Sequence, residues 1–312
     1  MGFLKNALST RKAMQKTPAL DFIRELSDDE LHALQDCFLE IIKDVADACE
    51  RYGICYMAAG GTALGSVRHR GFIPWDDDVD ILMPRKDLKR FLEIFDEALG
   101  DRYEITSPDS KYPLESMITA VYRKGTYKAS LSTLDTDLPK GVHIDIFSID
   151  TVPVNPLVRR IKGTAAMGLQ YIAVSTLFRK LSSPKKKEFF GQTGAGKVNY
   201  AIRMTVGTVF SFIPCETWAA WFDRFVSCRK DTGLWAVPTD IGHYFGHIMP
   251  KGVYVPPVKG PFEDMEINLP HDPDAYLKNQ YGDYMTIPPE ADREKHWSIG
   301  FDVGGGEGES HA

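Results

Sequence analysis

Three aspartates at alternate positions, Asp76, Asp78 and Asp80, stand in the run Trp75-Asp-Asp-Asp-Val-Asp-Ile-Leu-Met83. Side chains alternate along an extended strand, so this spacing puts the three carboxylates on one face. Val79 and Ile81 then turn toward a core. Carboxylates stacked in this way repel one another unless a cation neutralises them. Hard oxygen ligands of this kind select Mg2+ or Mn2+. The apolar continuation from Val79 to Met83 places Asp78 and Asp80 on the strand itself, with Asp76 and Asp77 in or beside the preceding loop.

A further acid is offered by Gly141-Val-His-Ile-Asp-Ile-Phe147. Its alternation turns Val142, Ile144 and Ile146 inward and puts His143, Asp145 and Phe147 on the other face. An Asp-x-Asp pair plus one acid from a neighbouring strand is a layout for metal-dependent phosphoryl transfer, Asp145 holding metal or taking a hydroxyl proton. Upstream, Gly60-Gly61 follows a strand and opens a short helix, a turn whose backbone N–H groups can face a phosphate. Arg68 suits bidentate phosphate recognition, and Trp75 could cover a base or a quaternary ammonium. Arg123 ends a strand and could reach a phosphate. Gly191 to Lys197 fits the G-x-x-x-x-G-K pattern, but Val198 stands where a phosphate-binding loop needs a hydroxyl, so a flexible basic loop is expected. Asp150 reads as a turn cap, and Tyr281 to Tyr284 as structural punctuation.

The elements that must carry these residues are those of a mixed α/β protein. Ser27-Asp-Asp-Glu30 is a capping box, followed by apolar residues at helical spacing as far as Gly53. Strands are expected at 54–59, 79–83, 103–106, 118–123 and 142–147, and helices at 86–99 and near 274–281. The stretch 155–229 reads as mostly helical. Residues 151–200 hold nine Lys or Arg against the single acid Glu188, although the whole chain of 312 residues has a formal charge of −6. That balance argues against a nucleic-acid binder. The apolar run Gly163–Phe178 is shorter than the ~20 residues of a membrane span. It reads as a buried helix with a solvated basic end, the alternative being peripheral contact with an anionic membrane. Five scattered Cys read as reduced thiols, and the first residues lack an apolar stretch, which sets a cytoplasmic expectation. The expected units are an N-terminal extension (1–26), a catalytic core (27–150), a basic helical insertion (151–235), a segment completing the core (236–300) and a disordered tail (301–312).

The block GTALGSVRHRGFIPWDDDVDILMPRKDLKRF resembles the signature of the LicD family of phosphotransferases, bacterial relatives of fukutin. HIDIFSID, PFEDMEINLP and YLKNQYGDYMTIPPEADREKHW resemble its later blocks in the same order, with Trp297 following His296 where a second His is common. The resemblance implies a nucleotidyltransferase-like mixed sheet with a helical insertion. It implies a Mg2+-dependent enzyme that moves a phospho-alcohol, phosphorylcholine first, from a CDP-alcohol such as CDP-choline to a hydroxyl of a cell-surface glycan (lipopolysaccharide or teichoic acid), releasing CMP. By position, Asp78 and Asp80 would be the metal pair, with Asp76 in the same run and Asp145 as the third acid. Gly60, Gly61 and Thr62 would contact the donor phosphates, and Glu263 would assist metal or acceptor. Nucleotidyl transfer from an NTP, with pyrophosphate released, is the enzymatic alternative. A membrane- or polymer-docking module is the non-catalytic one.

Overall fold

The computed structural model describes residues 20–228, 230–290, 293 and 298–304. Helix α1 (Asp28–Tyr52) begins at the capping box, with Ser27 and Glu30 each bonded to the other's backbone, and ends at Gly53, whose φ of 60° suits a residue without Cβ. Its Leu34, Phe38, Ile41, Ile42 and Val45 are buried in the main core. Strand β1 (Met57–Ala58) is shorter than the sequence suggests. Helix α2 (Gly60–His69) follows at once, then β2 (Asp80–Pro84), α3 (Arg85–Ala98), β3 (Tyr103–Thr106), β4 (Thr119–Arg123), β5 (Tyr127–Ala129) and β6 (His143–Thr151).

Four helices come next: α4 (Pro156–Lys180), α5 (Pro184–Gly191), α6 (Gly194–Val209) and α7 (Cys215–Val226). The chain then returns through β7 (Leu234–Ala236), α8 (His243–Gly246), β8 (Met249–Pro250), α9 (Lys251–Tyr254), the hairpin β9 (Val258–Phe262) and β10 (Met265–Leu269), α10 (Pro273–Tyr281) and β11 (Ile299–Asp302).

The sheet runs β1-β2-β6-β4-β3, with β7 also paired to β6 and β8 to β7. Among the described residues only β2 and β6 pair in parallel, in a register that sets Asp80 beside Asp145. Ile81, Leu82 and Met83 are all buried, as expected of a strand covered on both faces. A second apolar cluster joins α4 and α7 to Leu114, Val152 and Ala236.

Several expectations change. The Gly191–Lys197 segment is a junction between two helices, with Thr193 capping α6 through the N–H of Gly196; neither a phosphate-binding loop nor a flexible one forms there. Lys186 is buried and donates to Ser132 Oγ and Leu181 O, so the Lys185-Lys186-Lys187 run is not a uniformly solvated face. Desolvation pushes its ammonium down to about 8. Phe301 and Asp302, expected in the tail, pair with β5. Arg24 and Ser298 form a bridge, so the end of the expected N-terminal extension is tied to the far end of the described chain. Asp150 is not a turn cap: it is buried in β6 and takes two hydrogen bonds from Arg85, which also contacts Asp223 of α7. The apolar run 163–178 lies within α4, whose buried residues include Gly163, Ala166, Gln170, Ala173 and Leu177.

Candidate active site

Because β2 and β6 are parallel neighbours, the first residue of β2 stands against the third residue of β6, and two carboxylates meet across the ladder. Neighbouring strands lie about 4.8 Å apart, so Asp80 and Asp145 cannot both ionise cheaply. Burial pushes the Asp145 carboxyl up to about 7; Asp78 adds to the rise and Lys128 opposes it. Asp80 is held well above the usual carboxylate range by burial, then by Asp78, Asp145, Asp76 and Asp240.

The acidic run is not one continuous strand face. Asp76, Asp77 and Asp78 precede β2 in irregular backbone, and Asp80 alone of the run is inside the strand. Asp78 is exposed, whereas Asp77 turns inward, where the Lys128 ammonium donates to its carbonyl at 2.7 Å. The loop is pinned by Gln35, whose side-chain amide donates to the carbonyl of Asp76 at 3.0 Å.

Helix α2 packs its first turn against these acids. A Cβ on Gly61 would lie 2.5 Å from Asp76 Oδ2, so only glycine admits the carboxylate there. Gly60, at φ +46°, donates its N–H to the Tyr276 hydroxyl at 3.2 Å. Thr62 is buried and accepts the Asp80 N–H at 2.9 Å; it locks the start of β2 and does not line the cleft.

A cleft of about 670 Å³ opens over the acids, a size suited to a nucleotide-bearing ligand. Gly60, Gly61, Arg68, Trp75, Asp76, Asp78 and Asp80 line it. Arg68 donates to the Tyr284 carbonyl at 2.7 Å, and the Arg293 guanidinium lies 4.1 Å from the centre of the Trp75 ring. Arg123 is elsewhere: its guanidinium pairs with Glu40 at 2.8 Å and contacts Cys37 Sγ. Glu263 is not in the lining either, because its carboxylate accepts the Phe72 N–H at 2.8 Å and fixes the loop after α2. His296 and Trp297 lie outside the described residues.

Other residues reach the cleft from segments with no motif of their own. Asp240 and His247 line it and are hydrogen-bonded to each other. Tyr281, Asp283 and Tyr284 line it too, which corrects their reading as punctuation. The Tyr281 hydroxyl is 3.5 Å from the position of a Cβ on Gly60, and burial with Asp76, Asp80 and Asp78 raises its pKa. Asp240 and His247 sit in the Gly-rich segment Thr239-Asp-Ile-Gly-His-Tyr-Phe-Gly-His247, where no strand or helix period marks a shared face.

The donor set suits a hard divalent cation in kind: Asp78, Asp80 and Asp145 are carboxylates, and burial beside other acids disfavours charge on the last two. Among the described residues, no three His, Cys, Asp or Glu side chains already converge as ligands.

Residues 53–155 match the family model described as LicD/FKTN/FKRP, nucleotidyltransferase domain. That span holds α2, β2, β6 and every acid of the cluster except Asp240. The chain carries a LicD-family domain over these residues. It is 29% identical over 261 residues to the lipopolysaccharide cholinephosphotransferase LicD of Haemophilus influenzae, covering 80% of this chain and 88% of that protein. Uncharacterized proteins of Rickettsia typhi and Rickettsia prowazekii are 38% and 41% identical over 66 and 64 residues, spanning 21% and 20% of this chain and 21% and 24% of their own lengths. The similarity to LicD supports a LicD-type phosphotransferase.

Proposed function

We propose that the chain transfers phosphorylcholine, or a closely related phospho-alcohol, from a CDP-alcohol to a hydroxyl of a surface glycan. The acceptor oxygen attacks the phosphorus that carries the alcohol. The bond from that phosphorus to the bridging oxygen breaks, CMP leaves with that oxygen, and the hydroxyl proton passes to a base. Asp78, Asp80 and Asp145 would hold Mg2+, with Asp76 beside them. When bound, the ion supplies positive charge to the donor pyrophosphate and the departing CMP. The chain's own groups hold the donor: Arg68 offers a cation to the phosphates, and Trp75 offers a ring face to the alcohol's ammonium. Among the described residues no Cys or Ser lines the cleft, so a single displacement with inversion at phosphorus is expected.

The observation that carries this reading is the family match together with the β2–β6 register, which sets the Asp80 and Asp145 carboxyls side by side. The test presents CDP-choline, other CDP-alcohols and NTPs to the protein with and without Mg2+. CMP formed from CDP-choline only with Mg2+ supports it; pyrophosphate from an NTP would replace it with nucleotidyl transfer.

The same reading puts the protein at an anionic bilayer surface, where an amphiphilic glycan would be met. No helix among the described residues is long and apolar enough to cross a membrane. Leu157 and Ile161 are nevertheless 67% and 64% exposed on one side of α4, with Arg160 exposed between them. Ile241, 70% exposed, belongs to the cleft lining itself. Apolar side chains set among cations are what an anionic interface takes up.

A further inference from the structure

The transfer needs a group to receive the acceptor's proton, and the carboxylates beside Asp80 are poorly placed for it. They are the ligands of the proposed cation, and Asp145 is not part of the cleft lining. On the segment joining β7 to β8 the chain supplies a different constellation. Asp240 Oδ2 is hydrogen-bonded to His247 Nδ1, and Asp240 Oδ1 accepts the N–H of Ile241 at 2.6 Å. Both carboxylate oxygens are engaged, so the carboxylate is fixed in place. A carboxylate that accepts at Nδ1 selects, for a neutral imidazole, the tautomer with the proton on Nδ1 and the lone pair on Nε2. The backbone of His247 is held as well, its carbonyl accepting from the Tyr254 hydroxyl at 3.3 Å. Both side chains are mostly covered, at 15% and 17% exposure, and both line the cleft that holds Asp76, Asp78 and Asp80. Among the described residues, no other histidine is in that lining.

We propose that His247, oriented by Asp240, is the catalytic base that takes the acceptor hydroxyl proton at Nε2. The inference rests on the transfer reading above. Asp240 fixes the tautomer and then stabilises the imidazolium that forms, as a buried carboxylate does for a catalytic histidine elsewhere. The proton leaves the hydroxyl as its oxygen bonds to phosphorus, and the imidazolium releases it to solvent once CMP has departed. Asp145 retains the work of placing negative charge beside Asp80.

The test uses the full chain with CDP-choline and Mg2+. In His247→Gln, kcat is expected to fall by about 10²–10⁴-fold, the range general-base loss gives, while donor affinity and Tm stay near wild type. Asp240→Asn is expected to lower kcat with donor affinity retained. In His247→Ala, added imidazole should restore part of the lost rate. Turnover in His247→Gln within threefold of wild type would overturn the assignment. So would loss of donor binding in step with activity, or a folded, donor-binding His247→Ala that imidazole fails to rescue. A wild-type protein that releases no CMP from any CDP-alcohol would instead sink the transfer reading itself.

Discussion

At the scale of single residues, Asp145 has the clearest consequence. Its carboxyl titrates near 4 in an unfolded chain and at about 7 here. Between those values the folded state binds more protons than the unfolded one, so stability falls as pH rises from about 4 to 7 when no cation is present. Asp145→Asn should remove that slope and stabilise the metal-free protein at pH 8 by roughly 2–4 kcal/mol while abolishing transfer. Thermal melts across pH in a chelator check the sign, and a variant that melts lower than wild type at pH 8 contradicts it. Lys186 runs the other way. With its pKa depressed to about 8, its burial penalty is present in full below pH 8 and is relieved as pH rises from about 8 toward 10.5. Lys186→Met should therefore gain roughly 1–2 kcal/mol at pH 7 and lose that advantage above about pH 10, as urea titrations at the two pH values would show. Gly61→Ala should leave the fold intact, because Asp76 can swing away, yet displace that carboxylate and lower transfer by about tenfold or more.

At the scale of elements, the ion cluster at the start of α3 joins three pieces of the molecule. Arg85 opens α3, Asp150 belongs to β6 and Asp223 to α7. Arg85→Ala would strand the Asp150 carboxylate, 1% exposed, without its cation, at a cost of about 3–5 kcal/mol. Chemical denaturation measures this, and a change under 1 kcal/mol would mean that the pair is dispensable. This cluster also shows where sequence patterning ends. Helix α1, with its capping box and its glycine stop, was readable because its signals are local and repeat at 3.6 residues. The inward and outward faces of β6 were readable from strict alternation. Asp150 was not, since its cation, Arg85, is 65 residues away, and the other acid on that arginine is Asp223 of α7. Asp78 was placed on the strand because a period of two continues through it, but β2 begins only where the Asp80 N–H reaches Thr62. Arg123 and Glu263 had suitable chemistry for a phosphate or metal site and spend it on Glu40 and on the Phe72 backbone instead. Asp240 and His247 flank the single turn of α8 and come together there, in a segment too short to show a periodic signature.

At the scale of the whole molecule, the exposed side of α4 should decide where the enzyme works. Leu157→Ser with Ile161→Ser and Arg160→Glu should reduce sedimentation with anionic vesicles at low salt by about tenfold, and should leave turnover on a soluble acceptor unchanged. Equal sedimentation of the variant and the wild type would remove this surface from the account. The four helices have one more property. They leave the sheet after β6 and return at β7, and those two strands are antiparallel neighbours, with Thr151 opposite Trp235. The chain exits and re-enters at the same rung of the ladder, so in topological terms everything between is the loop of a very large hairpin. A hairpin tolerates exchange of its loop, since a short turn or a foreign domain can close the same two strands. The acid cluster lies on β2, β6 and the loop before β2, with Asp240 after β7, all outside the exchanged stretch. The helical segment is therefore a cartridge that could be swapped between relatives with the catalytic sheet left standing, provided that the surface at Val152 and Ala236 is covered again.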